Sequence, residues 1–133
     1  MIKVQVIDIS ANHLIGSIPS VLGSCEVLEY LYLSHNKFEG SIPISLGELQ
    51  NLQDMDLSFN NLSSEIPLSL KNLKMLNHLN FSFNKLSGKV PQAGVVKNLS
   101  ATTFMGNVDL CGSWVNLQPC STSKHKSFFF FIS

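Results

Sequence analysis

The sequence predicts a repeat solenoid, a fold in which short coils of similar sequence stack side by side. Its Asn, Pro and Ser residues recur every 24 positions in three separate series. A fixed period of this length indicates one repeated supersecondary unit, because each copy can bury its apolar side only against its neighbours. The three series are Asn12, Asn36, Asn60 and Asn84; Pro19, Pro43, Pro67 and Pro91; and Ser10, Ser34, Ser58 and Ser82.

Each copy begins with a pattern that predicts a short strand. In the first copy Val4 and Val6 alternate with polar neighbours and lead into Ile7-Asp8-Ile9, a period of two that is typical of a strand. The strand then gives way to a turn at the repeated Asn, whose side-chain amide can bond main-chain groups that a bending backbone leaves unpaired. We therefore interpret the series Asn12, Asn36, Asn60 and Asn84 as a structural ladder.

The period divides the chain into four copies, 4–27, 28–51, 52–75 and 76–99, followed by a segment 100–120 and a tail 121–133. In the second and third copies, Pro43 and Pro67 fix φ and remove a donor, which suits an extended stretch. Ser64 and Lys71 stand where other copies have glycine, so slight local distortion is expected there. Gly94 replaces an expected leucine in the fourth copy, a departure typical of a terminal repeat.

The second copy carries the fullest version of the pattern, in the order Leu28, Leu31, Leu33, Asn36, Phe38, Gly40, Ile42, Pro43, Leu46 and Leu49. This order resembles the plant-type leucine-rich repeat, L-x-x-L-x-L-x-x-N-x-L-x-G-x-I-P-x-x-L-x-x-L, of plant receptor-like kinase and receptor-like protein ectodomains. The resemblance extends from residue 4 to about residue 120. It implies an α/β repeat solenoid, a right-handed leucine-rich-repeat superhelix with a concave parallel β-sheet and a 3₁₀ or irregular convex side.

The segment after the fourth copy resembles the C-terminal cap of the same family. Phe104 to Gly112 reads F-x-G-N-x-x-L-C-G, and Cys111 and Cys120 match the two cap cysteines, which implies a disulfide. Their short separation in a Gly- and Pro-containing segment without a His cluster also suits a disulfide loop better than a metal site. Cys25 takes a leucine position, where a buried free thiol is expected.

Composition limits the classes of function. A chain of 133 residues with 44% hydrophobic content makes one domain. Nine basic residues balance nine acidic ones, so neither nucleic acid nor an anionic membrane surface is an expected partner.

The first eight residues lack the apolar core of a secretory signal, so the front of the chain looks truncated. Five apolar residues, Phe128 to Ile132, are too few to span a bilayer, which takes roughly 20. They are either the stump of a missing transmembrane segment or readthrough into unrelated sequence.

The candidate binding surface is the concave face. Strand residues between the buried ones point there because successive side chains alternate. Their aromatic and polar character suits recognition, with rigid aromatic anchors and polar selectors. The candidate ligand-binding residues are Tyr30, Tyr32, His35, Asp54, Asp56, Phe59, His78 and Phe83.

A hydrolase that uses Asp54 and His78 is the enzyme alternative. The two residues occupy the same place in adjacent copies, so their Cβ atoms should lie roughly 5 Å apart. Catalysis also needs a nucleophile or metal aligned with them in a concave pocket, whereas the nearest hydroxyls belong to an open ribbon. We therefore expect no enzyme activity, no cofactor and no metal.

Three Asn residues begin N-glycosylation sequons, Asn61, Asn80 and Asn98. The repeat consensus itself generates such triplets. Asn61 and Asn98 fall at predicted turns, whereas a glycan on Asn80 would obstruct the concave face.

The resemblance implies a function in recognition. The expected role is a fragment of an extracellular module that binds a peptide, protein or glycan ligand and a co-receptor, in signalling or defence, at the plasma membrane or as a secreted protein. The chain has no length for a kinase domain, although a longer relative could be a receptor kinase. Two alternatives stay open: a secreted protein similar to polygalacturonase-inhibiting proteins, and a non-functional gene remnant.

Overall fold

The computed structural model describes residues 3–114 and 117–121. The apolar run Phe128–Ile132 and residues 122–127 of the polar linker lie outside the described residues. Four successive coils each contain two strands and a 3₁₀ helix, and a shorter cap follows. In chain order the elements are β1 Val6–Asp8, β2 Ile15–Ser17, η1 Ser20–Ser24, β3 Tyr30–Tyr32, β4 Lys37–Ser41, η2 Ile44–Glu48, β5 Asp54–Asp56, β6 Asn61–Ser64, η3 Leu68–Asn72, β7 His78–Asn80, β8 Lys85–Lys89, η4 Gly94–Asn98, η5 Ala101–Phe104 and β9 Asp109–Cys111.

The first strand of each coil contributes to a parallel sheet of four strands in the order β1-β3-β5-β7. Each strand pairs with the next exactly one period along the chain, so that Leu31 lies beside Met55 and Met55 beside Leu79. These central residues point into the core, and their neighbours on each strand point outward. The predicted solenoid with a concave parallel sheet is confirmed, and we call the outward side of this sheet the concave face.

The second strand of each coil forms a further parallel sheet, β2-β4-β6-β8-β9. The 3₁₀ structure predicted for the convex side is confirmed by η1 to η4, whereas this second sheet was not predicted. The signal for the second sheet was present, because in β4 the buried Phe38 alternates with exposed Lys37 and Glu39. Such a period of two is typical of a strand with one buried face.

The repeated apolar residues form one hydrophobic cluster that runs from Ile18 to Leu110. In the second coil Leu28 is 0% accessible and Leu33 is 2% accessible. The corresponding residues of the first coil are more exposed: Val4 is 39% and Ile9 is 37% accessible. Burial in a solenoid comes from the coils on both sides, and within the described residues the first coil is covered on one side only.

The repeated asparagines connect neighbouring coils through both ends of the side-chain amide. Nδ2 of Asn60 donates to the carbonyl oxygens of Leu33 in the preceding coil at 3.0 Å, and of Leu57 and Ser58 in its own coil at 3.2 Å. Its Oδ1 accepts from the backbone N–H of Phe38 at 3.0 Å. Asn36 and Asn84 repeat this arrangement.

The two ends of this ladder differ. Asn12 donates only to carbonyl oxygens of its own coil, those of Ile9 and Ser10. At the other end the ladder continues into the cap, where Asn107 donates to the Phe81 carbonyl at 3.0 Å and accepts from the Leu86 N–H at 3.0 Å. This rung was not predicted from the sequence, because Asn107 follows Asn84 by 23 positions and not by 24.

The three departures from the repeat have local structural consequences. Ser64 adopts φ +66°, in the left-handed region that Gly40 occupies in the preceding coil. Lys71 lies against Gly94 of the next coil, and a Cβ on Gly94 would overlap the Lys71 carbonyl. Gly94 therefore gives the backbone of Lys71 the close approach that Gly47 provides against Ser69 one coil earlier.

The cap closes the C-terminal side of the solenoid. Phe104 is fully buried, its ring meets the Trp114 ring edge-on at 5.1 Å, and the Trp114 indole N–H donates to the Leu99 carbonyl at 2.7 Å. Cys111 and Cys120 form a disulfide with their Cα atoms 4.9 Å apart, while Cys25 is buried and unbonded. No helix in the described part of the chain has the length and apolar character needed to cross a membrane.

Candidate ligand-binding face

The register of the concave sheet aligns the outward side chains in columns. One column contains Val6, Tyr30, Asp54 and His78, and the next contains Asp8, Tyr32, Asp56 and Asn80. Residues of one column lie on neighbouring strands, so each can contact the next directly. Five of the eight predicted ligand-binding residues, those on strands β3, β5 and β7, lie in these two columns.

Asp54 is the centre of a hydrogen-bonded group that crosses three strands. Its Oδ2 accepts from the Tyr32 hydroxyl at 3.0 Å, and its Oδ1 lies 3.1 Å from His78 Nδ1. The His78 side chain is 82% exposed and that of Asp54 is 26% exposed. The contact is an ion pair only when His78 is protonated, and so exposed a pair adds little to stability. The group therefore links three polar side chains on an accessible surface.

The hydroxyl of Tyr32 stays protonated in this arrangement. Partial burial of the side chain and its hydrogen bond to the Asp54 carboxylate raise the pKa of Tyr32 above its ordinary value of 10.0. At neutral pH the phenol is consequently a donor, and Asp54 is its acceptor.

Side chains of the second column accept hydrogen bonds from the turns that follow their own strands. Asp56 Oδ1 accepts from the N–H of Ser58 at 2.9 Å and from its hydroxyl at 2.6 Å. Asn80 bonds Ser82 in the same way. In the first coil, the side-chain and backbone hydrogen bonds from Ser10 lower the pKa of Asp8. These residues therefore shape the ends of the strands and keep only part of their bonding capacity for a ligand.

A further outward column precedes the strands and was missed in the sequence analysis. Gln53 Nε2 approaches Glu29 Oε1 at 3.5 Å, and the Tyr30 hydroxyl donates to Gln53 Oε1 at 3.4 Å. The pattern L-x-x-L leaves two consecutive outward positions, and the sequence analysis used only the second of them. The complete column is Gln5, Glu29, Gln53 and Asn77.

The other three predicted binding residues form a separate aromatic stack beyond the strands. The His35 and Phe59 ring centroids are 4.4 Å apart, and those of Phe59 and Phe83 are 4.6 Å apart. All three residues have φ between +55° and +57°, a left-handed conformation at the turn before each ladder asparagine. Phe59 and Phe83 remain 44% and 43% exposed. The stack is therefore an accessible apolar ridge, distinct from the group around Asp54.

The concave face is not a uniformly open ribbon, because it deepens at its C-terminal end. A cavity of about 580 Å³ lies between the last concave strands and the segment that leads into the cap, and we call it the cap-side hollow. The strands contribute Tyr32, Asp54, Asp56 and His78 to its lining, and the following segment contributes Asn98 and Met105. Asn98 ends the degenerate fourth copy and Met105 lies in the cap, so the 24-residue pattern of the other copies did not predict the hollow.

The three sequon asparagines differ in their surroundings. Asn61 and Asn98 are exposed, and Asn98 lies at the margin of the cap-side hollow. Asn80 is half-buried on β7 with its Oδ1 bonded to Ser82. Among the described residues, no group of three or more His, Cys, Asp or Glu side chains is placed to hold a metal ion.

Two family models, both described as leucine-rich repeat, match residues 2–62 and 75–94, together more than half of the chain. The chain is also similar to solved structures from plants. It is 39% identical to a chain of the BIR3–SERK2 complex from Arabidopsis thaliana, with a TM-score of 0.80, over 89% of this chain and 61% of that chain. The predicted resemblance to plant receptor ectodomains is confirmed.

Two further similar structures contain peptides. The plant peptide hormone receptor RGFR1 in complex with RGF2 is 38% identical, with a TM-score of 0.76, over 81% of this chain and 18% of that chain. The Arabidopsis receptor kinase HAESA, in a complex with the peptide hormone IDA and the co-receptor SERK1, is 43% identical, with a TM-score of 0.73, over 85% of this chain and 19% of that chain. The chain thus spans less than two thirds of each of these three structures.

Proposed function

This chain belongs to the leucine-rich-repeat family, and we propose that it is part of the extracellular recognition module of a plant receptor-like kinase or receptor-like protein. In this proposal the concave face binds a peptide or protein ligand, and a co-receptor joins the complex. The observation that carries the proposal is the group of Tyr32, Asp54 and His78, held in place by mutual hydrogen bonds at an accessible hollow.

The geometry of this group supports recognition. Binding needs side chains whose positions are fixed before the ligand arrives, because ordering them afterwards costs affinity. Tyr32 and Asp54 meet this condition through the hydrogen bond between them. Tyrosine also supplies a rigid contact surface with few rotatable bonds.

The same geometry is a weak basis for catalysis. Active sites exclude water to strengthen electrostatic interactions with the reacting atoms, whereas His78 is 82% exposed. Asp54 divides its two oxygens between a phenol donor and the imidazole. We therefore assign the Asp54–His78 pair to ligand contact and not to hydrolysis.

The kind of ligand proposed for this chain is inferred from the molecules bound in the similar structures. The similar structures include receptors in complexes with the peptide hormones RGF2 and IDA and with the co-receptor SERK1. This supports an extended peptide or a protein surface as the ligand of this chain, presented outside the cell.

The test is a calorimetric titration of the purified chain with the SERK1 ectodomain and with the IDA and RGF2 peptides. We expect saturable binding to at least one of them, weakened at least tenfold, or about 1.4 kcal/mol, by Tyr32→Ala. The matched control is Glu48→Ala, an exposed residue of η2 outside the concave face. No binding by the folded chain, or equal losses in both variants, would contradict the proposal.

A further inference from the structure

Charged residues are distributed unevenly over the chain, although its net charge is zero. The concave strands and the positions just before them carry four carboxylates, Asp8, Glu29, Asp54 and Asp56. None of the outward residues of these strands is Lys or Arg. The described lysines lie before β1, on β4 and β8, on η3 and η4, or just after η3, at positions 3, 37, 71, 74, 85, 89 and 97.

This separation makes the concave face an acidic surface on a neutral molecule. Two of its four carboxylates, Asp54 and Asp56, line the cap-side hollow, and no lysine does. A recess lined by one sign of charge concentrates the field between its walls and attracts ligands of the opposite sign. The expected occupant is therefore cationic.

Both carboxylates keep room for such a group. A carboxylate offers about four acceptor sites. Asp54 uses one on Tyr32 and one beside His78, and Asp56 accepts both hydrogen bonds from Ser58 through Oδ1. The Tyr32 ring is a suitable neighbour, because cations are attracted to aromatic faces.

We propose that the cap-side hollow binds a lysine or arginine side chain of an extended basic peptide. The inference rests on the proposed function and deepens it by naming the charge of the ligand and the place where that charge is held. Asp54 and Asp56 accept hydrogen bonds from the cationic head, Tyr32 contacts its stem, and the amide of Asn98 lies at the margin where the peptide backbone passes.

The occupant is a peptide and not a free cation, because the surroundings of the carboxylates are larger than an ion needs. The hollow has a volume of about 580 Å³ and is lined by Asn77, Asn80 and Thr103 besides the two aspartates. Amide and hydroxyl groups match the donors and acceptors of a peptide backbone.

The test is selection of binders from a random dodecapeptide phage library on the immobilised chain. We expect enrichment of Lys or Arg at one fixed position, and a selected peptide whose affinity falls several-fold between about 50 and about 500 mM salt. The double substitution Asp54→Asn and Asp56→Asn should weaken that peptide about tenfold. The side-chain oxygen that remains at position 54 can still accept from Tyr32, and the one at position 56 can still accept from Ser58. Asn80 already fills the place on β7 that corresponds to Asp56, so the fold is preserved.

The matched control is Glu39→Gln, which removes an exposed carboxylate of the second sheet. Its affinity for the selected peptide should equal that of the unchanged chain. Binders without a basic residue, or equal losses from Glu39→Gln and from the double substitution, would overturn the inference while the proposed function stands. A folded chain that selects no peptide above background, and that fails in the calorimetric titration, would remove both.

Discussion

Replacement of Asn60 by Leu tests whether the asparagine ladder holds the coils together. Leucine has nearly the same volume but neither the donor nor the acceptor of the amide. The change removes four hydrogen bonds, two to the preceding coil and two within its own coil.

The cost depends on which partners keep another bond. The carbonyl of Leu33 retains Asn36, that of Leu57 retains Asn84, and that of Ser58 retains the N–H of His35. The N–H of Phe38, in a buried residue, loses Asn60 Oδ1, the side-chain acceptor that it has in the structure. One stranded donor costs about 1–3 kcal/mol and the weakened carbonyls add about 1 kcal/mol. The expected loss of stability is therefore about 2–4 kcal/mol.

The control is Asn12→Leu, which removes two exposed hydrogen bonds within the first coil. The carbonyl of Ile9 retains the Asn36 amide, so the loss should stay below about 1 kcal/mol. Urea unfolding measures both free energies, and amide hydrogen exchange reports on the Phe38 N–H directly. Equal, small changes in the two urea midpoints, with unchanged protection of Phe38, would refute the structural role of the ladder.

Four other perturbations test the cap, the turns and the concave face. Gly106→Ala should lower the free energy of unfolding by about 2–4 kcal/mol, because φ is +77° and a Cβ would lie 2.5 Å from the Phe83 ring. The control Gly16→Ala, where φ is +92° and the space is open, should lower it by only about 1 kcal/mol. Equal melting temperatures for the two variants would contradict this reasoning. Ser64→Gly should raise the free energy of unfolding by about 0.5–1 kcal/mol by removing left-handed strain at φ +66°, and a lower urea midpoint would show that the reasoning is wrong. Cys111→Ser should cost about 2.5–3 kcal/mol by opening the loop to Cys120, and mass spectrometry that finds mainly Cys25-linked peptides would overturn the pairing. Because the pKa of Tyr32 is raised in the folded chain, the contribution of its hydrogen bond to stability is present below pH 10.0 and is lost as pH rises through the higher folded value. Tyr32→Phe should abolish this loss of stability at alkaline pH. An unchanged dependence of the unfolding free energy on pH would count against the Tyr32–Asp54 bond.

The features that the sequence predicted are those that repeat. The 24-residue period sets the strand register, so the neighbours of Leu31 and of Asp54 follow from position numbers alone. Burial of Leu28 and Leu49 follows from the same pattern, because these positions face the adjacent coils. Periodicity carries this information since each coil meets its neighbours in the same way.

The features that were missed depend on a break in the period or on contacts between different kinds of segment. Asn107 continues the ladder one position early, and Gly94 accommodates Lys71 across two coils whose sequences no longer match. The cap-side hollow joins strand residues such as His78 to Asn98, at the end of the degenerate fourth copy, and to Met105 in the cap. A position in the repeat cannot indicate a contact with a segment outside the repeat.

In the proposed function, stability and recognition depend on different positions of the same coil. The ladder asparagines and the buried leucines fix the path of the backbone, and each contributes on the order of kilocalories. The outward column has four chemically different side chains, Val6, Tyr30, Asp54 and His78, on a backbone geometry that repeats from coil to coil. Exposed pairs such as Asp54 and His78 contribute little to folding. Substitutions in this column should therefore change the proposed ligand binding while leaving the solenoid intact.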